Sequence, residues 1–299
     1  MQEIHLSPRI NLFYTEYNIG IERANNMLLP TIKLGNADVT RLIIGGNPFS
    51  GNSHVSAEMD AEMEDFFTTQ AIKDTLWRCL EQGVNTAQMR ADKHIMRILR
   101  EFRQDGGTMH WIAQTAPEAA SFDGNIRQIM QYEPIAIYHH GSVTDDLYKR
   151  GDVAEIRRRL AILRGTGVPA GLCSHMPEVI LRAEQEGWGA DWYMCCVYNL
   201  SRVDRVSSAI TGVSNSSEPF FEEDIPVMYD VIRTVEKPCM AFKILGATRR
   251  CGTPDDVRGA FAEAYASIKP SDGVIVGMFP KRTDQVGENC RYVRQILGA

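Results

Sequence analysis

Several histidines and one lysine stand where short apolar segments of the chain end, and these residue types can move protons. Imidazole is the side chain best suited to accept and donate protons near neutral pH. Lys243 lies within the apolar stretch Cys-Met-Ala-Phe-Lys-Ile-Leu, where an amine must be paired with an acid or have a lowered pKa. We therefore predict acid–base chemistry by His140, His175 and Lys243.

Each of these residues also has an ordinary structural interpretation. A single histidine at the end of a strand is more often structural than catalytic, and a lysine there can simply extend its amine into water. Four of the seven histidines lie at such ends, and this concentration favours a function. They are His94, His139, His140 and His175. Because neighbouring residues of a strand point to opposite faces, we expect only one of His139 and His140 to reach the site.

Other polar residues follow apolar segments in the same way. Gln88 and Lys93 end or follow the second segment and are further candidates for catalysis. After the last segment, Lys281 and Arg282 precede a predicted helix that begins near Asp284. Exposed amides and the helix dipole favour anions at such a position. The two cations therefore predict a phosphate site, which the carboxylate of Asp284 weakens.

Eight apolar segments alternate with helix-period segments from residue 40 onward, which is the pattern of repeated β–α units. The predicted strands are Arg41–Gly46, Val84–Met89, His110–Thr115, Ile135–His140, Ala170–His175, Tyr193–Asn199, Cys239–Leu245 and Gly273–Phe279. We predict the α/β class and a (β/α)8 barrel (TIM barrel), whose strand ends bring the candidate residues together at one face. A doubly wound open sheet is the alternative, but its glycine-rich turn is missing after the first strand. The predicted domains are an N-terminal extension, residues 1–30, and the barrel, residues 31–299.

Two predicted loops are unusually long: Asn47–Phe67 after the first strand and Ser201–Phe220 after the sixth. Both follow the strand ends that build the active site of such a barrel, so they are candidate lids. The alternative is that they are surface insertions without a role in function.

The composition indicates an ordinary globular protein with a small-molecule partner. The chain has 299 residues, a net charge of −6 and scattered Lys and Arg residues, so we expect no nucleic-acid partner. We expect no membrane partner, since no apolar run approaches the ~18 residues that cross a bilayer. The seven cysteines are dispersed and lack a C-x-x-C pair, which indicates buried reduced thiols. Without an evident signal peptide, we expect a cytoplasmic location.

In the order of its motifs the chain resembles the aldo-keto reductase superfamily over most of residues 31–299. The matching segments are Ile32–Asn36, Val39–Gly46, Gly83–Thr86, Ile137–Gly141, Leu172–His175, Val197–Leu200, Ala241–Gly246 and Asp284–Asn289. The resemblance implies an aldo-keto-reductase-like barrel with NADP or NAD as cofactor and His140 as the catalytic histidine. It implies further that the cofactor is held by six residues: Ser174 and Phe242 at the nicotinamide, and Lys281, Arg282, Glu288 and Asn289 at the phosphate and adenosine.

The chain departs from this family at the residues that donate the proton. Where the family has an Asp, a Tyr and a Lys, the chain has Gln88, a position near Lys93, and Gln114 or Thr115. Reduction of a carbonyl requires a proton donor beside the hydride acceptor, so the resemblance by itself does not supply the reaction.

Three functions fit these observations. We favour an NAD(P)-dependent oxidoreductase acting on a small carbonyl or hydroxyl compound, sugar-like in its chemistry, because the adenosine-side segment has no purpose otherwise. In that reaction His140 is the acid–base group, with Lys243 or Lys93 as its electrostatic partner.

The alternative is a lyase, epimerase or isomerase without hydride transfer. Here His140 or His175 removes a proton, and Lys243 stabilises the enolate. A metal-assisted form uses the two histidines with Asp92 or another carboxylate to hold a divalent metal, since imidazole and carboxylate suit such ions. The third function is a barrel that binds a ligand without catalysis.

Overall fold

A β hairpin and a closed barrel make up the sheet structure of the chain. The computed structural model describes residues 28–299 except 203, 206 and 207. The hairpin strands β1 (Thr31–Leu34) and β2 (Ala37–Thr40) are antiparallel and lead directly into the barrel. Ile32, Leu34 and Val39 pack with side chains of the barrel interior, so the hairpin closes the end at which the barrel strands begin. Of the predicted extension 1–30, only residues 28–30 lie within the described residues.

Eight parallel strands in the described part of the chain form the closed barrel, in the hydrogen-bonded order β10-β3-β4-β5-β6-β7-β8-β9. Their bounds are β3 (Leu42–Gly45), β4 (Thr86–Arg90), β5 (His110–Gln114), β6 (Ala136–His139), β7 (Ala170–Ser174), β8 (Trp192–Cys196), β9 (Cys239–Phe242) and β10 (Gly273–Gly277). All eight predicted strands are confirmed, and the fold is a (β/α)8 barrel rather than an open sheet. Seven of the strands end earlier than predicted, and for β6, β7 and β9 this leaves His140, His175 and Lys243 immediately beyond the strand.

Helices surround the barrel and alternate with its strands. In the described ranges they are α1 (Ala57–Phe66), α2 (Thr69–Glu81), α3 (Lys93–Gln104), α4 (Phe122–Met130), α5 (Gly141–Lys149), α6 (Val153–Arg164), α7 (Pro177–Gln185), α8 (Ser208–Thr211), α9 (Asp224–Thr234), α10 (Pro254–Ser267) and α11 (Gln285–Leu297). The predicted start of α10 is confirmed, because Thr253 and Asp256 cap it reciprocally and Pro254 is its first residue. No helix among the described residues is long and apolar enough to cross a membrane.

The two predicted long loops contain local structure. The first long loop (Asn47–Phe67) contains a 3-10 turn over Pro48–Ser50 and helix α1. Ser56 caps the start of α1, because its side chain accepts a hydrogen bond from the backbone N–H of Met59. The second long loop (Ser201–Phe220) holds the single-turn helix α8. Both segments leave carboxyl ends of strands, and they therefore lie at the barrel mouth, the face at which the eight strands end.

Large side chains fill the barrel interior below the mouth. Gly171 makes this filling possible, because a Cβ atom there would lie 2.4 Å from the ring of Trp192 and 2.8 Å from Cβ of Tyr138. Both aromatic residues are completely buried in the interior cluster. All seven cysteines are free and six of them are buried, in agreement with the predicted reduced thiols.

Candidate functional site

Lys243 is the first residue after β9, and its amine lies in the barrel mouth. Nζ is 3.0 Å from Nε2 of His54 and 3.3 Å from Nδ1 of the same ring. The amine also lies 5.3 Å above the centre of the Phe220 ring. Among the described residues, no carboxylate lies within ion-pairing distance of Nζ. Burial, with a smaller contribution from the charge of Arg249, lowers the pKa of Lys243, while Cys196 and Glu218 oppose this change.

His54 belongs to the first long loop and is buried against the second. Its Nδ1 is 3.2 Å from Oε2 of Glu218 and 2.5 Å from the hydroxyl of Ser208. Ser208 donates its own hydrogen to Oε2 of Glu218 over 2.9 Å. A carboxylate can only accept, so this network assigns the ring hydrogen to Nδ1 and leaves the lone pair on Nε2, which faces Lys243.

The charges of this network follow from its burial. Burial and then the charge of Lys243 lower the pKa of His54 to about 4, so the ring is neutral at pH 7. Burial alone raises the pKa of Glu218, but the hydrogen bond from His54 and nearby positive charge bring it down to about 2. Glu218 is therefore ionised and holds His54 in one tautomer.

His175 and Asp145 form a second histidine–carboxylate pair at the mouth. Nδ1 of His175 lies 2.7 Å from Oδ2 of Asp145, and Nε2 has no hydrogen-bond partner in the described ranges. The hydroxyl of Ser174 donates to Oδ1 of Asp145 over 2.5 Å, and the backbone N–H of His175 donates to Oδ2 over 3.3 Å. Three hydrogen bonds thus fix the carboxylate of Asp145, which lies on helix α5, and this carboxylate orients the imidazole of His175.

The start of α5 approaches His175 closely because residue 141 is glycine. A Cβ atom on Gly141 would lie 2.7 Å from Sγ of Cys173 and 3.1 Å from Cε1 of His175. Any larger residue would therefore displace the His175 ring or the helix. The ring of His175 also packs edge-on against Phe242, with 5.7 Å between the ring centres.

His140 reaches the mouth, and His139 does not. The side chain of His139 points to the helix layer, where its Nδ1 is 2.7 Å from the hydroxyl of Thr144. Nδ1 of His140 is buried and has no hydrogen-bond partner among the residues described. Burial and the charges of Arg90 and His175 lower the pKa of His140 to about 4. The expectation that only one of the two histidines faces the site agrees with these contacts.

Gln88 contributes to a polar floor below the histidines. Its Nε2 donates to the hydroxyl of Tyr138 over 2.7 Å, and Nε2 of Gln114 donates to the same oxygen over 2.8 Å.

Lys93, in contrast, is exposed at the start of α3. The carboxylate of Asp92 caps this helix by accepting from the backbone of Ile95, 2.8 Å away. Within the described part of the chain, no three His, Cys, Asp or Glu side chains are grouped so that they could hold a metal ion.

The residues predicted to hold a cofactor lie on separate elements of the fold: at the ends of β7 and β9, after β10 and on α11. Ser174 is fully buried with its hydroxyl on Asp145, whereas Phe242 is half-buried beside His175. Lys281 and Arg282 are exposed and pair with Glu62 of α1, at 3.0 and 3.1 Å. The remaining two residues lie in the first turns of α11, with Glu288 half-buried and Asn289 buried. The two cations of the predicted phosphate site therefore share one carboxylate of the chain.

Arg249 joins the two long loops above Lys243. Its guanidinium donates to the backbone oxygen of His54 over 3.1 Å and to that of Ser216 over 3.4 Å. It also stacks on the ring of Phe220, 4.1 Å from the ring centre. The structure thus brings the two candidate lids together over the amine. Sequence reasoning identified both loops but not His54, which reaches Lys243, nor Ser208 and Glu218, which hold His54.

No protein-family model matches the chain, and no curated protein matches it. Solved structures do match. A truncated form of 3-deoxy-D-arabino-heptulosonate 7-phosphate synthase from Thermotoga maritima has a TM-score of 0.55 and 13% sequence identity, over 91% of this chain and 92% of that one. A putative deoxyribose-phosphate aldolase from Coccidioides immitis has a TM-score of 0.49 and 11% identity, over 94% and 96%. A D-psicose 3-epimerase with D-fructose present has a TM-score of 0.41 and 11% identity, over 75% and 83%.

The likeness shows a shared fold. It also corrects the resemblance inferred from the motifs, because the synthase, which has a TM-score above 0.5, is not an aldo-keto reductase. The predicted NAD(P)-dependent oxidoreductase is therefore wrong. The physical reason is that strands covered on both faces have similar apolar sequences in every barrel of this class. The order of the motifs consequently predicted the fold correctly but did not identify the family.

Proposed function

We propose that the protein is a lyase or isomerase that acts on a small carbonyl compound by moving a proton on the carbon next to the carbonyl group. The observation that carries this proposal is the arrangement of Lys243 with two histidine–carboxylate pairs in one barrel mouth. Glu218 orients His54 against the amine, and Asp145 orients His175 beside it.

Removal of such a proton requires a base and a group that stabilises the negative charge on the carbonyl oxygen. His175 is suited to be the base, because Asp145 fixes its Nδ1 and leaves Nε2 without a partner among the described residues. The amine of Lys243 is suited to interact with the oxygen, because no carboxylate of the described residues occupies it.

The position of the groups supports the same reaction class. In barrels of this kind, catalytic residues come from the ends of several strands, and here His140, His175 and Lys243 directly follow β6, β7 and β9. The groups influence one another's charge: a positive charge on His175 lowers the pKa of both His54 and His140. A fold hosts many reactions, so the proposal rests on these residues and not on the fold match.

Exchange of carbon-bound hydrogen with solvent deuterium tests the proposal directly. The protein is incubated in D2O with pyruvate, dihydroxyacetone or D-fructose, and proton NMR follows the signal of the carbon beside the carbonyl. We expect exchange above the rate without protein for at least one probe, and a loss of at least about 100-fold in His175→Gln. Lys149→Met, which alters an exposed lysine at the end of α5, is the matched control and should exchange like the wild type. Background exchange with all three probes, or equal exchange in His175→Gln, would contradict the proposal.

A further inference from the structure

His54, which Glu218 holds in place, contacts the amine of Lys243 itself, whereas His175 packs against the neighbouring residue Phe242. A single base and an electrostatic amine would not need this second pair. We propose that Lys243 forms a Schiff base with the substrate carbonyl and that His54 moves the protons of that step. This inference rests on the proposed function and specifies how the carbonyl is activated.

The surroundings of Lys243 differ from those of the other partly buried lysines. Lys73 pairs with Asp105 at 2.7 Å, Lys269 pairs with Asp272 at 3.0 Å, and Lys237 pairs with Glu184. Lys243, in contrast, has a neutral imidazole and an aromatic ring close to its Nζ, and no carboxylate of the described residues pairs with it. Desolvation and a nearby cation are the two means by which proteins keep an amine unprotonated and nucleophilic, and both are present here, with Arg249 as the cation.

The hydrogen bonds also orient the amine. Glu218 holds the hydrogen of His54 on Nδ1, so Nε2 keeps its lone pair, and Nζ lies against the face of the ring, 3.0 Å from Nε2 and 3.3 Å from Nδ1. A rotation of the imidazole or of the lysine side chain lets the amine donate one hydrogen to Nε2, and the lone pair of the neutral amine then stays free for a carbon atom. His54 is thus placed to act on the reacting nitrogen, while Glu218 is a positioning residue that acts through His54.

The step balances without an oxidant or a reductant. The lone pair of Nζ forms the C–N bond, and the π electrons of the carbonyl move to its oxygen. His54 accepts a proton from Nζ and passes it to that oxygen, which gives a carbinolamine. His54 then takes a second proton from the solvent and delivers it to the hydroxyl group, which leaves as water when the C=N bond forms, while the nitrogen keeps its remaining hydrogen. The resulting iminium ion attracts electrons from the neighbouring carbon, where His175 removes a proton or a C–C bond breaks. Addition of water then releases the product and restores the amine.

Reductive trapping tests the Schiff base on the wild-type protein. The protein is incubated with pyruvate or dihydroxyacetone in the presence of sodium cyanoborohydride, which reduces an iminium ion to a stable secondary amine. Peptide mass spectrometry then locates the modified lysine. We expect the adduct on Lys243, with at most a tenth as much on the exposed Lys93 and Lys149, and no Lys243 adduct in Lys243→Met. Equal labelling of all lysines, or no adduct with either probe, would overturn the inference.

The exchange and trapping experiments together separate this inference from the proposed function. If deuterium exchanges and depends on His175 but no adduct forms on Lys243, the Schiff base is wrong and the proposed function stands. If the adduct forms without any exchange, the Schiff base stands and the proposed proton transfer is wrong.

The role of His54 requires a readout that folding alone would not change. In His54→Gln we expect trapping at Lys243 to slow by at least about tenfold at pH 7, with normal circular dichroism. In Glu218→Gln the rate should fall and its pH dependence should shift, and Glu218→Asp should restore part of the rate. Unchanged rates and pH profiles in folded His54→Gln and Glu218→Gln proteins would show that the pair is only structural.

Discussion

The amine of Lys243 lies 3.0 Å from Nε2 of His54, although 189 residues separate the two along the chain. Both residues have backbone φ angles in the left-handed region, 64° for Lys243 and 59° for His54. A residue other than glycine costs roughly 1–2 kcal/mol in that conformation, and such residues concentrate at functional sites. The contact between the two side chains therefore requires two unfavourable backbone conformations. The hydrogen bonds that Glu218 and Arg249 make with His54 must stabilise this arrangement.

Replacing Lys243 by methionine should separate stability from activity. The substitution removes an amine whose charge is unfavourable at this buried position and keeps the length of the side chain, so we expect the free energy of unfolding to stay the same or rise by about 1 kcal/mol. Hydrogen exchange on the substrate should be lost. Urea denaturation followed by fluorescence measures the first effect, and NMR in D2O measures the second.

Lys269→Met is the matched comparison for this stability measurement. Lys269 pairs with the fully buried Asp272, so its removal leaves a buried carboxylate without its cation and should lower the free energy of unfolding by about 2–3 kcal/mol. A similar loss in Lys243→Met would show that the amine stabilises the fold, and the catalytic interpretation would then fail.

Two substitutions should move the pKa of Lys243 in opposite directions. The charge of Arg249 lowers this pKa and the charge of Glu218 raises it. Arg249→Met should therefore shift the acid limb of the trapping rate to higher pH, and Glu218→Gln should shift it to lower pH. The control is Arg250→Met, because Arg250 pairs with Glu263 and does not influence the amine. Shifts in the same direction for Arg249→Met and Glu218→Gln would contradict the assigned electrostatics.

The sequence predicted the barrel and three of the groups at its mouth because one rule governs them. Parallel strands covered on both faces have a clear apolar pattern, and their carboxyl ends meet at one face. His140, His175 and Lys243 directly follow strands, so their positions depend on the fold alone. His54 and Glu218 lie 164 residues apart on two long loops, and no periodicity relates residues of separate loops. Asp145 was missed because it lies on a helix rather than at a strand end.

Other predictions differ from the observed contacts for equally local reasons. Lys281 and Arg282 have the pattern of an anion site, but both pair with Glu62, which lies on a helix that is distant in sequence. Lys93 follows a strand closely but begins helix α3, which turns its side chain to the solvent. The apolar segments that resemble aldo-keto reductases form the common framework of the barrel, and a framework does not specify the chemistry at its mouth.

The free energy of unfolding should decrease as the pH falls from about 6.5 towards 4. Burial lowers the pKa of His54 and His140 to about 4 and that of His139 to about 3. In the unfolded chain these residues bind protons below pH 6.5, whereas the folded protein does not, so folding becomes less favourable as the pH falls. Above pH 6.5 the histidines are neutral in both the folded and the unfolded chain, so they do not lower the stability. Below pH 6.5, each proton bound only by the unfolded chain lowers the free energy of unfolding by about 1.4 kcal/mol per pH unit.

Denaturation curves in urea at several values between pH 7.5 and 5 measure this dependence. We expect a slope that approaches three protons near pH 5, and a slope smaller by about one proton in His139→Gln, since His139 packs outside the mouth. A free energy of unfolding that stays constant over this range would show that the histidines can be protonated in the folded protein.

Replacing Gly141 by alanine should disturb His175 without replacing any of the catalytic side chains. The new Cβ atom would lie 2.7 Å from Sγ of Cys173, which is closer than these atoms can approach, and 3.1 Å from the His175 ring, which is a tight contact. We expect the free energy of unfolding to fall by about 1–3 kcal/mol and hydrogen exchange to slow, because the ring moves from Asp145. Gly259→Ala is the control: no atom lies within 4 Å of its added Cβ, so this helix should gain about 0.5–1 kcal/mol. The double variant Gly141→Ala, Cys173→Ala removes the sulfur contact and should recover part of both losses. Should Gly141→Ala behave like Gly259→Ala in stability and exchange, the close approach of α5 to His175 would not be needed for either.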